Sequence, residues 1–114
     1  MKPIPVGARG EHSKTVAVAD LASTLDPSLA AVLSTPTMVA MMEQAAIDAI
    51  KPFLNAGESS VGMSIEVSHT AATPPGHRAR AEAEVTKVDG RHSSLQCAPS
   101  TMSSRLVLEA IAAP

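Results

Sequence analysis

The sequence predicts an α+β domain in which an antiparallel sheet wraps around one buried helix. Three patterns carry this prediction: helical spacing of apolar residues over 35–51, strict two-residue alternation over 78–88, and an Asp89-Gly90 turn that closes a hairpin. The 114 residues suit one domain spanning 1–114.

The elements follow in order. Residues 1–13 read as a loose lead-in. Lys14 to Ala19 (KTVAVA) alternates weakly and predicts a short first strand. Asp20 to Ser34 is mixed and broken by Pro27, as a loop or short helix covering another element would be. In the long helix, Thr35 suits the N-cap and Pro36 the first helical position, where a missing N–H costs nothing. Met38, Met41, Met42, Ala45, Ala46 and Ala49 then recur at helical spacing until Pro52 ends the pattern.

Asn55 to Ser60 (NAGESS) is a turn cluster, and Val61 to Thr70 alternates around Met63, Ile65 and Val67 as a strand does. Ala71 to Gly76 holds two prolines and connects strands rather than joining a sheet. Arg78 to Val88 places Ala79, Ala81, Ala83 and Val85 on one face and Arg80, Glu82, Glu84 and Thr86 on the other. After Gly90 a partner strand should follow, yet RHSSLQCAPSTMSSR is polar, proline-broken and without alternation. Only Leu106 to Ala112 recovers an apolar run.

Composition narrows the function classes. Charged residues make up 18% and the net charge is −2, so no cationic footprint for nucleic acid exists. Arg78, Arg80, Lys87 and Arg91 are interleaved with acidic residues and read as a solvated strand face. The single cysteine, Cys97, excludes an internal disulfide and fits a reducing compartment. The first twelve residues lack the apolar core of a secretory signal, and no apolar run approaches a membrane span. A cytoplasmic protein is expected. Phe53 is the only aromatic residue, unusual for a core of this size.

One charge is out of place. On a helical wheel Glu43 falls among Val39, Ala46, Ile47 and Ile50, the only charged residue in the apolar arc. A carboxylate there is costly unless paired, and such groups concentrate at active sites. A glutamate snorkelling at the edge of the stripe explains the pattern equally well. His69 shares the parity of Ile65 and Val67; alone it reads as a hydrogen-bonded strand-end residue. Thr35 alone reads as a cap. Gly62 marks a bulge or a close backbone approach.

The segments TPTMVAMMEQAA (35–46), SVGMSIEVSHTAATPPG (60–76) and AEAEVTKVDGR (81–91) resemble the fluoroacetyl-CoA thioesterase family of hot-dog proteins. The spacing of Thr35 and Glu43, of Gly62 and His69, and the string from His69 to Gly76 carry the likeness, which covers roughly residues 5–91. The resemblance implies a hot-dog fold, a homodimer whose sheets join edge to edge, and hydrolysis of a small acyl-CoA near the interface. It implies Thr35, Glu43 and His69 as catalytic residues and Gly62 as a substrate contact. No cofactor or metal is implied, because coenzyme A is part of the substrate. Glu43 is then expected to attack the thioester or activate water, His69 to move the proton, and Thr35 with N–H groups at the helix start to hold the oxyanion.

Eight helical residues rise about 12 Å, so Thr35 and Glu43 do not touch if the helix begins at Thr35. Either the preceding stretch bends back or one member comes from a second subunit. Fluoroacetyl-selective members place phenylalanines in a lid before the helix. Residues 20–34 contain none, so an unidentified short acyl group is the expected substrate.

Similarity stops at Arg91, where the family continues with two apolar strands and a G-x-G-x-H-x-R ending. A one-base insertion or two-base deletion near Arg91 accounts for this. Re-read with permitted codons, the tail yields an alternating strand, a polar turn, a second strand and that ending. The tail 92–114 is therefore expected to pack poorly and to leave the chain weakly stable. A non-catalytic acyl-CoA or small-ligand binding module, an inactive frame-shifted product and a hot-dog dehydratase are the competing readings.

Overall fold

A computed structural model describes residues 1–98 and 102–112. Five antiparallel strands form one sheet in the order β1-β3-β4-β5-β2: β1 Arg9–Thr15, β2 Glu58–His69, β3 Arg78–Asp89, β4 His92–Ala98 and β5 Met102–Ala112. A short helix, α1 (Ala22–Leu25), precedes the long helix α2 (Thr35–Ile50). α2 packs chiefly against β1 and β3, giving the wrapped-helix architecture expected from the sequence.

α2 buries Met38, Met41, Met42, Ala45, Ala46, Ala49 and Ile50, the predicted stripe. It ends at Ile50, and Pro52 sits in the 3-10 turn Lys51–Phe53 that follows. The sheet presents Ala79, Ala81, Ala83 and Val85 to this stripe. Small residues on both surfaces let helix and sheet approach closely. At Gly10 a Cβ would lie 2.1 Å from the Ala45 carbonyl oxygen and 2.4 Å from the Ala49 nitrogen. A core this thin has little space for rings. Methionines fill its gaps, and Phe53 packs only at the margin.

The first strand differs from expectation. It runs over Arg9–Thr15, so that only Lys14 and Thr15 of the KTVAVA stretch belong to it, and the rest leaves the sheet, with Val18–Asp20 forming a 3-10 turn. β1 is an edge strand whose inner face meets the helix backbone at Gly10, so its sequence carries no apolar alternation. The Asp20–Ser34 segment folds back on itself through the Leu21↔Leu33 bridge and buries both leucines.

The tail also departs from its forecast. His92–Ala98 pairs with β3 through the Asp89-Gly90 hairpin, Gly90 having φ 60°, and Met102–Ala112 pairs with both β4 and β2. Ser93, Leu95 and Cys97 alternate into the core, as do Ser104, Leu106, Leu108 and Ala110. The strand pattern is hidden in the sequence because a serine occupies an inner position on each strand. Residues 99–101 and 113–114 of that tail lie outside the described residues.

Candidate active site

Helix capping frees the first reactive group. Ser34, not Thr35, is the N-cap: its backbone is extended (φ −72°, ψ 148°) and its Oγ accepts from the Thr37 N–H at 3.2 Å. Thr35 is therefore the first helical residue, with an exposed side chain that owes nothing to the cap. Its Oγ1 lies 2.8 Å from Nδ1 of His69, the last residue of β2. This hydrogen bond joins residues 34 positions apart and fixes the imidazole against the helix start.

The helix start is a poorer anion cradle than expected. Pro36 has no N–H, the Thr37 N–H is held by Ser34 Oγ, and the Met38 N–H donates to the Ser34 carbonyl at 3.1 Å. The Thr35 hydroxyl is the better donor. In the tautomer that carries its proton on Nδ1, His69 donates to Thr35 Oγ1, which leaves the hydroxyl proton for a ligand oxygen and the Nε2 lone pair open.

Glu43 sits two turns along α2, half-buried at the edge of the stripe between half-buried Val39 and Ile47. It faces Gly62: a Cβ at that glycine would lie 2.8 Å from Glu43 Oε1. A bulge between Gly62 and Ser64 shifts the ladder with β5 here. The bulge also reverses parity. Glu58 and Ser60 point toward the helix side before it, and Val67 and His69 after it. Gly62 thus marks both a bulge and a close approach, the nearest partner being Glu43. Met63 leaves the inner alternation and is 54% exposed.

The four predicted residues therefore form two pairs, Thr35 with His69 and Gly62 with Glu43. Among the described residues no hydrogen bond joins one pair to the other. Thr35 and Glu43 are about 12 Å apart along the helix, and the chain before Thr35 does not bend back to close the gap. A hollow of about 560 Å³ lies on the outer sheet face, among Arg9, Glu11, Arg80, Glu82 and Glu84. Its charges are paired with one another, Arg80 binding Glu11 at 2.6 Å and Glu82 at 2.7 Å, and Arg9 binding Glu84 at 3.5 Å.

Two contributors escaped the sequence reading. Ser34 is legible in hindsight from Ser34-Thr35-Pro36-Thr37, a capping serine three residues before the hydroxyl it meets at 2.8 Å. Asp20 is not, because its partner Lys14 is recognisable only once β1 is placed.

Known proteins of similar shape and sequence identify the family of this chain. The fluoroacetyl-CoA thioesterase of Streptantibioticus cattleyicolor is 48% identical over 63 residues, 55% of this chain and 45% of the relative, so that match spans less than half of the relative's length. A solved structure of the fluoroacetyl-CoA thioesterase FlK, a variant in complex with acetyl-CoA, superposes with a TM-score of 0.87 at 32% identity, covering 95% of this chain and 90% of that one. A Thermus thermophilus protein described as a thioesterase superfamily member gives a TM-score of 0.89 at 28% identity, covering 98% of this chain and 87% of that one. The profile of the fluoroacetyl-CoA-specific thioesterase family matches residues 16–111, past Arg91, the expected limit of the likeness, and the chain belongs to that family.

Proposed function

We propose that this protein hydrolyses the thioester of a small acyl-CoA, as a cytoplasmic homodimer whose sites combine residues of two copies. The observation that carries the reading is the division of the reactive groups into two pairs that one chain cannot bring together. β2 is an edge strand of twelve residues, paired only with β5, and it exposes Val61, Met63 and Ile65. An open apolar edge of that length favours pairing with another strand. If two copies of β2 pair antiparallel about a two-fold axis between Ile65 and Glu66, Gly62 of one copy lies opposite the partner's His69. Glu43 then faces the partner's Thr35 and His69, and the two half-sites become one.

In that setting each group has a distinct task. The Thr35 hydroxyl donates to the developing oxyanion. Glu43 directs the nucleophile, either its own carboxylate or a water that it deprotonates. The carbon–sulfur bond breaks, and His69 carries the proton to the departing thiolate. No cofactor is assigned, since coenzyme A arrives with the substrate. No described helix is long and apolar enough to cross a membrane.

The test is thiol release from a panel of short acyl-CoAs. Glu43→Gln is expected to abolish release while leaving acyl-CoA binding intact. Equal binding with no release by the parent chain marks a binding module instead, and hydration of an enoyl-CoA without thiol marks a dehydratase. Mixing Glu43→Gln with His69→Ala chains tests sharing of the site. Statistical reassociation restores about a quarter of the parent activity if sites are composite, because half the dimers are mixed and each keeps one intact site. No recovery on mixing places each site within one chain.

A further inference from the structure

The only charged side chain that is buried among the described residues is not one of the four site residues. Asp20 is 7% exposed, at the end of the 3-10 turn Val18–Asp20. Its Oδ1 binds Lys14 Nζ of β1 at 2.6 Å, and its Oδ2 accepts the Ala17 N–H at 2.9 Å. The Lys14 hydrogen bond, then that of Ala17, hold its carboxyl below the usual range against the opposing effect of burial. Its backbone carbonyl accepts the Ser34 N–H at 2.8 Å. Ser34 caps α2, and the next residue is Thr35.

These bonds form a continuous tie. Lys14 on β1 grips Asp20, Asp20 grips Ser34, and Ser34 fixes the first turn of the helix that offers Thr35 to His69. The loop closes on itself beside the tie through Leu21↔Leu33 and Ala22 N–H to Val32 carbonyl, 2.8 Å. The Leu33 N–H also binds the Thr73 carbonyl at 2.8 Å, four residues after His69, so both halves of the Thr35–His69 pair hang on this segment.

We infer that the Lys14–Asp20 ion pair is a positioning device for the Thr35–His69 pair: Asp20 sets where the Thr35 hydroxyl points and touches no substrate itself. The inference rests on the thioesterase reading for its kinetic consequence, though its structural consequence stands independently. A buried carboxylate that holds a helix cap fixes geometry more tightly than solvated loop contacts do. A catalytic hydroxyl displaced by a fraction of an ångström loses rate more than substrate affinity.

The experiment uses Asp20→Asn, Lys14→Met, Lys14→Arg, the double variant, and Arg80→Gln on the outer sheet face as control. Asp20→Asn and Lys14→Met are each expected to lower kcat about tenfold with KM changed less than about twofold. The double variant should be no worse than either single one, and Lys14→Arg should recover most of the rate. Independently of turnover, the ¹⁵N resonance of His69 Nδ1 should move in Asp20→Asn in the same direction as in Thr35→Ala, and stay put in Arg80→Gln. An unmoved resonance in folded Asp20→Asn overturns the inference even if the protein hydrolyses nothing. A moved resonance with no thiol release by the parent upholds the positioning tie and rejects the enzyme. A kcat loss accounted for by the unfolded fraction, or not recovered by Lys14→Arg, also overturns it.

Discussion

The two sides of the sheet are built to different standards. Where α2 meets β3 the inner positions are small or apolar, Ala79, Ala81, Ala83 and Val85, and on β1 Gly10 comes up against the backbone of Ala45 and Ala49. Where β4 and β5 complete the sheet, Ser93 and Ser104 occupy inner positions beside Leu95, Leu106 and Leu108. Among the described residues, Ser104 Oγ is buried with no strong hydrogen-bond partner, only the weak sulfur of Cys97 opposite it on β4. Strand pairing runs along both sides, with register shifts at Gly62/Ser64 and Val85/Lys87, because backbone pairing ignores side-chain identity. What differs is the free energy of the face turned inward.

The comparison breaks most visibly if the tail is restored. A chain re-read in the shifted frame from codon 92 replaces the inner Ser93 by an apolar residue and restores two phenylalanines, and is expected to gain about 3 kcal/mol or more in urea unfolding. Sequencing the DNA across codons 88–95 tests the origin of the tail, and a clean read in the present frame refutes a shift. The opposite side should be the less forgiving of the two. Gly10→Ala drives a Cβ into two backbone atoms of α2, and should cost about 2 kcal/mol or more by thermal or denaturant melting. A loss near zero there would mean that helix and sheet are not held at the distance described. The smallest effect is expected in the tail: Ser104→Ala removes an unsatisfied hydroxyl and should raise stability by about 1 kcal/mol. Destabilisation by that change would show that the hydroxyl is satisfied after all, and would narrow the contrast between the two sides.

Legibility in the sequence followed the range of the interactions. α2 could be read closely because its period and its proline lie within one stretch, although the cap fell one residue early, on Ser34 rather than Thr35. β3 and its turn were equally local. β1 was misplaced because the constraint on Gly10 comes from Ala45 and Ala49, some 35 residues on. β4 was missed because Ser93 breaks the apolar alternation that defines a strand on paper. Glu43 was found by its position in an apolar arc, yet the wheel could not separate a shielded carboxylate from one at the margin. The structure places it between those readings, half-buried and turned toward Gly62.

By itself the sequence determined the helix and the β3 turn and, through its resemblance, singled out four candidate site residues, since each depends on spacing within a short run of chain. Only the tertiary structure decided that those residues separate into two pairs, and that Lys14, Asp20 and Ser34 stand behind one of them. Both outcomes depend on which strand lies beside α2 and on where a bulge turns β2. Those choices are made by packing between segments far apart in the chain, and no local period records them.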